Sequence, residues 1–428
     1  MQQSSTRRTF LRAASAAPAM WAASRTVAGA NDRIQVGMIG VGSRGAHLLD
    51  LVLRRVRDSN DAEVVALCDV YQARLNKAAA KAPGARTYMH HQELLDQKGL
   101  DAVVIATPDH WHAPITLAAL DRGIDVYCEK PMTHTLEEAR IVRDRVREKK
   151  RVMQVGVQAM SWNRWHKIRD VVQAGTLGKV VAVQGTYSRN NPDGDWNWTI
   201  DPGAGPDAKG DLHIDWKQWL GSARQRPFDA DRFFRFRKYW DYSGGIATDL
   251  HYHIVAPFQL ALENEHPVRI SGMGGLWVYD DGREVPDTFL TAADYPGRYS
   301  MTVQSSQVNE IGPMMLLRGT HATMHLGDEW EGPQGRDTKT ARIVPETPFR
   351  KEFRQKWGKD ELILEDVGNE GDLKHMNNFL DCVRSRETPN CDADTGYKVM
   401  TAIDLSVRSY RQGKLFQFDP KQERIVNG

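Results

Sequence analysis

Cysteine is scarce in this chain: four in 428 residues, too few for a disulfide scaffold at this size. Cys68 and Cys128 each end an apolar strand, where a reduced, buried thiol is the expected state. Cys382 and Cys391 stand nine positions apart, and spacing alone does not supply the geometry of a bridge, so none is expected. No apolar run is long enough to cross a membrane as a helix. A surplus of either charge sign is also missing. The formal net charge of +2 comes from 57 basic and 55 acidic side chains. Residues 1–30 hold Arg7, Arg8, Arg12 and Arg25 and no acid, which leaves 53 basic groups against 55 acidic ones in the remainder. That balance argues against a nucleic acid or an anionic membrane surface as partner.

The first thirty residues read as an address. Ser5-Thr6-Arg7-Arg8-Thr9-Phe10-Leu11 carries the twin-arginine pattern, an Ala-rich stretch follows, and Ala28-Gly29-Ala30 gives a small-x-small cleavage site. An export signal over 1–30 is therefore expected, on a route that carries proteins already folded. It implies a periplasmic or otherwise exported protein.

What the rest does have begins at Ile34. Ile34, Val36, Met38 and Ile39 form the apolar run of a buried parallel strand. The run breaks at Gly40-Val41-Gly42-Ser43-Arg44-Gly45, and helical periodicity follows through Leu48, Leu49, Val52, Leu53 and Val56. Strand, G-x-G-x-x-G and helix in that order predict a dinucleotide fold: Gly40 for the turn, Gly42 for the pyrophosphate, Gly45 for close packing. A second strand, Val64 to Leu67, leads to Asp69, which lies 24 positions after Gly45, near where the ribose-binding carboxylate belongs. Asp69 favours NAD over NADP, since a 2′-phosphate would be repelled; Arg44 would soften that preference.

Strands and helices alternate to about Val155, which predicts a doubly wound parallel sheet over residues 31–155. Its ligands bind beyond the carboxyl ends of the strands, so Asp69, Thr107 to His112 and Glu129 to Pro131 share a rim with the glycine turn. From 156 to 428 the pattern changes to an α+β unit. Strands are expected at Val180–Tyr187, Val268–Gly272, Phe289–Ala293, Tyr299–Gln304, Met314–Leu317 and Ala322–Leu326, in an open, mainly antiparallel sheet. Gly371–Val383 and Gly396–Arg411 look helical, after a polar, loop-rich section. Residues Arg189 to Gly210 form a long Asn/Asp/Gly/Pro-rich loop carrying Trp196 and Trp198, whose aromatic faces suit a sugar.

Three residues carry the chemistry. Lys130 sits at a strand end on the cofactor rim, and Asp249 and His253 are four apart, on one face if they are helical. Oxidising a secondary alcohol needs a hydride acceptor and a base for the hydroxyl proton; histidine suits the base and a lysine ammonium holds the developing alkoxide. Together with Thr107-Pro108 and His112, Glu129-Lys130-Pro131, Trp216-x-x-Trp219-Leu220-Gly221 and Gly244-Gly245-x-x-x-Asp249-x-x-x-His253, these residues resemble the glucose–fructose oxidoreductase / inositol dehydrogenase / MocA family, from Asn31 to the C-terminus. The resemblance implies catalytic Lys130 and His253 with Asp249 on the substrate. It implies cofactor contacts from Gly40, Gly42, Ser43, Arg44 and Gly45, from Asp69, and from Thr107, Pro108, His112, Glu129 and Lys130. Trp196, Trp198, Asp249, His251 and His253 are the substrate-facing candidates. It also implies a cis Lys130–Pro131 bond and homo-oligomers through the C-terminal sheet.

His251 departs from the family pattern. His251-x-His253 and His110-x-His112 raise a metal reading, but side chains two apart on a helix face different ways, and no metal site is assigned. The reading that follows is an exported sugar or polyol dehydrogenase with tightly held, recycled NAD. Two alternatives stand beside it: a glycoside-cleaving enzyme working by transient oxidation, whose best-known branch lacks the Glu-Lys-Pro kept here, and a non-catalytic sugar-binding accessory protein.

Overall fold

The computed structural model describes residues 33–326, 340–365 and 370–426. The export-signal stretch lies outside the described residues. The apolar runs of the first half form six strands: β1 (Ile34–Ile39), β2 (Ala62–Cys68), β3 (Arg86–Tyr88), β4 (Ala102–Ile105), β5 (Asp125–Glu129) and β6 (Met153–Gly156). Every neighbouring pair is parallel, in the spatial order β3-β2-β1-β4-β5-β6. The order reverses between β1 and β4, and a ligand crevice opens at that reversal, beyond the carboxyl ends.

Both faces of this sheet are covered, which is why its strands are apolar throughout. On one face lies helix α1 (Ser43–Ser59), burying Leu48, Leu49 and Val52 against Val36, Met38 and Val104. On the other, α2 (His112–Asp121) and α3 (Leu136–Lys149) bury Ile115, Leu120, Ala139 and Val142 against Val103, Ile105 and Val126.

The second sheet has ten strands: β7 (Val180–Thr186), β8 (Arg269–Gly275), β9 (Thr288–Tyr295), β10 (Tyr299–Ser306), β11 (Leu316–Gly319), β12 (Ala322–His325), β13 (Ala341–Pro345), β14 (Leu362–Leu364), β15 (Phe416–Asp419) and β16 (Arg424–Val426). Its order is β14-β13-β12-β11-β7-β10-β9-β8-β15-β16, antiparallel except for the central β7–β10 pair. The mainly antiparallel sheet is as expected. Strands β13 to β16 were not foreseen, because runs of three to five residues at the sheet edges are too short to show a period.

Helix α4 (Tyr252–Ala261) packs beneath this sheet, with Ile254, Val255 and Phe258 buried. The chain then returns to the first half. Helix α5 (Leu373–Ser385) buries Met376, Phe379 and Leu380 in the same core as Val36, Met38 and Tyr127, each worth roughly 1.5–3 kcal/mol. Helix α6 (Ala393–Gln412) lies against both α3 and β8 and ties the two sheets together. The nucleotide-type sheet is thus completed by residues far beyond 155. All four cysteines are buried and unbridged, and no helix among the described residues is long and apolar enough to cross a membrane.

Candidate active site

The glycine turn follows β1 directly. Gly40 has φ +80°, and a Cβ there would stand 2.8 Å from the Ala106 carbonyl. A Cβ on Gly45 would fall 1.9 Å from the Gly40 oxygen, so helix and strand close only without one. Gly42 differs: its Cβ would meet only the Arg74 side chain, at an ordinary 3.4 Å. Packing does not demand a glycine at that point, whereas close approach of a ligand does. Helix α1 also lacks a side-chain cap and has no acid in its first turn, while α3 carries a full Thr135/Glu138 capping box. The leading N–H groups of α1, from Ser43 on, are therefore available to an anion.

Gly40, Gly42, Ser43 and Arg44 line a groove at the carboxyl ends of the strands. Asp69 lies in its wall, buried, its Oδ2 accepting the Val41 N–H at 2.8 Å and its Oδ1 the Tyr71 N–H at 2.9 Å. Burial pushes its carboxyl up, against the pull of Arg74 and those N–H groups. Thr107, Pro108, Glu129 and Lys130 line the same groove, at the ends of β4 and β5. The Lys130–Pro131 bond is cis.

Two assignments on this rim change. Arg44 lines the groove but does not face Asp69: its Nε donates to Glu129 Oε1 and its Nη1 to Asp372 Oδ2, both at 2.7 Å. The cation beside Asp69 is Arg74, whose guanidinium lies 5.1 to 5.6 Å from the Tyr71, Phe233 and Phe234 ring centres. His112 lies behind the groove rather than on it. Its two ring nitrogens meet the Pro131 and Thr107 carbonyls at 2.6 and 2.9 Å. Only a doubly protonated ring donates to both. Burial opposes that charge, but Cys128, Asp109 and the Pro131 carbonyl outweigh it, raising the pKa to about 9.

At the far end of the groove the two halves of the chain meet. Lys130 Nζ donates to both the Asp249 carbonyl and its Oδ1, each at 2.7 Å. An ammonium has three donors, so one remains for the groove that Lys130 lines. Arg237 Nε reaches the same Oδ1 at 2.9 Å, and the Trp196 indole N–H donates to Oδ2 at 3.0 Å. Burial alone would raise the Asp249 carboxyl, but Arg237, Lys130 and Arg189 hold it well below the usual carboxylate range. Trp196 itself is buried with φ +67°, uncommon for a bulky residue, and serves as a clamp on Asp249. Trp198 is the exposed partner at the groove wall, beneath the Arg237 guanidinium.

Asp249 sits in a single π-type turn, Ala247–His251, that leads into α4. Such inserted residues recur at functional sites. His253 lies just beyond, half-buried, its ring 5.7 Å from that of Tyr187. Neither Asp249 nor His253 lines the groove; Asp249 touches it through Lys130 and Arg237, which do. His251 is not a substrate-facing residue. It is fully buried against the second sheet, Nδ1 at 2.9 Å from Thr291 Oγ1, and burial pushes its pKa down to about 3. No group of three or more His, Cys, Asp or Glu among the described residues is placed to hold a metal.

Arg189, Arg237, Tyr187 and Asp195 join this cluster and were missed in the sequence. Only Arg237 had a signal, and a faint one: arginines interleaved with aromatics in Arg232-Phe233-Phe234-Arg235-Phe236-Arg237. The same segment supplies the outer wall. Residues 201–242 strap across the rim: the Tyr71 hydroxyl donates to Asp201, Gln72 N–H to His213 O, Asp215 N–H to Val70 O, and the Trp111 indole to Trp219 O, at 2.7 to 3.1 Å. Trp219, Phe233, Phe234 and Phe236 then face the groove. The wall comes mainly from 216–237, further along than the 189–210 loop.

Comparison with known proteins bears on the same residues. Residues 34–157 match the Gfo/Idh/MocA oxidoreductase family, NAD-binding Rossmann fold, and residues 163–273 match that family's C-terminal alpha/beta domain. Inositol 2-dehydrogenase of Corynebacterium glutamicum (strain R) is 30% identical over 167 residues, 39% of this chain and 48% of that protein. A glycosyl hydrolase family 109 protein of Stenotrophomonas maltophilia is 35% identical over 202 residues, 43% of this chain and 42% of that protein. The chain thus spans about half the length of the curated relatives it matches. A levoglucosan dehydrogenase solved with NADH and levoglucosan superposes with a TM-score of 0.65, covering 90% of this chain and 99% of that one at 16% identity, a likeness of fold.

Proposed function

The chain belongs to the Gfo/Idh/MocA family of NAD-binding oxidoreductases, and from that premise we propose that it oxidises a secondary alcohol of a sugar or polyol, keeping its NAD bound between cycles. The observation that carries this is Lys130: it lines the nucleotide groove while its ammonium is aimed by Asp249 from the other half of the chain.

The unsubstituted face of Gly42, the uncapped start of α1 and buried Asp69 fit a dinucleotide. Bound there, NAD supplies the hydride acceptor. The free donor of Lys130 holds the substrate oxygen and stabilises the negative charge that develops on it. Asp249 fixes that lysine, and Trp196 fixes Asp249. His253, one turn on and flanked by Tyr187, takes the hydroxyl proton. The strap over 201–242 supports slow cofactor release, by the gating that lids provide.

The twin-arginine pattern supports export of the loaded protein, to a compartment where free NAD is scarce. Hydride then returns to a second carbonyl compound rather than leaving as free NADH. The open sheet supports a homo-oligomer: Met273, Trp277 and Val278 stand 64%, 71% and 65% exposed at one end of it. Trp277→Asp should shift the species seen by light scattering to a smaller mass; an unchanged mass removes that interface.

Purified exported protein should release near-stoichiometric NAD on denaturation and turn over sugars with no nucleotide added. Empty protein, active only with millimolar NAD supplied, overturns the closed cycle. The match to the glycosyl hydrolase family 109 protein favours a second reading, in which the aglycone is eliminated and the sugar re-reduced. Release of aryl alcohol from aryl glycosides without net NADH separates the two.

A further inference from the structure

Asp249 is the meeting point of three cations. Lys130 Nζ and Arg237 Nε approach the same oxygen at 2.7 and 2.9 Å, so the two nitrogens stand no more than 5.6 Å apart. Arg189 also acts on that carboxylate through its charge. Asp195, 3.6 Å from Arg189, is the second carboxylate of the cluster. Neighbouring Arg283 and Lys238 are matched by Asp281 and Asp231. Lys130, Arg189 and Arg237 against Asp249 and Asp195 leave one positive charge in a largely buried pocket.

Arg237 is where that charge is offered. It spends Nε on Asp249, and its two terminal nitrogens have no hydrogen-bond partner among the described residues. The side chain lines the groove, its guanidinium held 5.2 Å from the Trp198 ring centre and 4.7 Å from that of Phe236. A guanidinium fixed in this way matches a carboxylate through two parallel hydrogen bonds. An unpaired charge in such a site is costly, and a ligand carrying the opposite charge relieves that cost.

We propose that the substrate is an acid sugar, a uronate or a related hydroxy acid, whose carboxylate docks on the two terminal nitrogens of Arg237 while its reacting hydroxyl lies on Lys130. This deepens the dehydrogenase reading above and rests on it. The short Lys130–Arg237 separation requires hydroxyl and carboxylate on the same monosaccharide, which rules out a distant aglycone as the source of the anion. A phosphate dianion carries more charge than the single surplus.

The test compares glucuronate and galacturonate with glucose, galactose and glucose 6-phosphate, by calorimetric titration of the NAD-loaded protein and by turnover. The hexuronates should be favoured by about 10- to 100-fold, the usual worth of a hydrogen-bonded charge pair. Arg237→Met should abolish that preference and Arg237→Lys should restore part of it. Equal binding of hexoses and hexuronates by the wild-type protein overturns the proposal, as does preference for the phosphate or a preference that survives Arg237→Met. Selective hexuronate binding with no hydride transfer would instead uphold the docking and overturn the dehydrogenase reading. Turnover of neutral sugars with no acid preference would do the reverse.

Discussion

Two buried carboxylates on one rim are shifted in opposite directions, and the difference assigns their work. Asp69 has its charge opposed by burial and is tied by backbone N–H groups, so it reads hydroxyls at the ribose end. Asp249 stays ionised, and its charge goes into aiming Lys130. Lys130→Ala and His253→Ala should each fold and keep NAD while losing turnover by about 10²- to 10⁴-fold, the usual cost of a proton-handling group. Near-normal kcat in either variant removes that residue from the chemistry. Asp69→Ala should narrow the gap between NAD and NADP, because Arg74 remains to meet a 2′-phosphate. Adding Arg74→Ala should take away the NADP gain. The comparison is of two dissociation constants, and an unmoved ratio in Asp69→Ala refutes the ribose role. Arg44 is drawn instead to Glu129 and Asp372, which take its Nε and Nη1.

Elements written in a local period were legible from the chain alone. The run Ile34–Ile39, the glycine turn and the α1 stripe each carry their own signal within a few residues, so the first sheet and its crevice followed. Elements defined by distant partners were not. Helix α5 was visible as a helix, but nothing in Leu373–Ser385 says that Phe379 packs against Tyr127. The π-type turn at Ala247–His251 inserts a residue that no spacing rule expects, and His251 ends inside the core instead of beside the substrate. The strap was hidden for the same reason: its aromatics look like scattered core residues until Tyr71 and Trp219 are brought together. If the strap retains the nucleotide, Phe233→Ala should speed NAD release. Phe233 meets Tyr71 and Trp219 at ring separations of 5.9 and 5.5 Å, and removing a buried aromatic costs about 3–5 kcal/mol. A fluorescence displacement assay should then show faster exchange, with turnover newly dependent on added NAD. Unchanged exchange in a folded variant places retention elsewhere.

For the molecule as a whole, buried histidines set the response to acid. Burial lowers His91, His266 and His375 to about 4, and His110 and His251 to about 3. In the unfolded chain the same groups titrate near 6.5. Between these values the unfolded state binds more protons than the native state, so stability rises with pH across that window and is lost as pH falls. Asp404, raised to about 6 by burial, and Asp69 and Asp195, also raised by burial, act with the opposite sign, because the native state gives up their protons at a higher pH than the unfolded chain does. They are outnumbered by these five histidines and His166, which burial also lowers, and the net effect follows the histidines. His112 is the counterpart on the alkaline side. Its folded pKa of about 9 means that its contribution is complete below 6.5 and is lost as pH rises through 9. The melting temperature should therefore climb steeply from pH 5 to 6.5, peak near neutrality and decline gently to pH 8, short of the midpoint near 8.5 at which unfolded thiols add their own titration. His112→Asn should flatten the upper limb while leaving the lower one in place. A melting temperature constant from pH 5 to 6.5 would mean that the five histidines are not buried neutral, and an alkaline decline unchanged in His112→Asn would deny its ring the second proton.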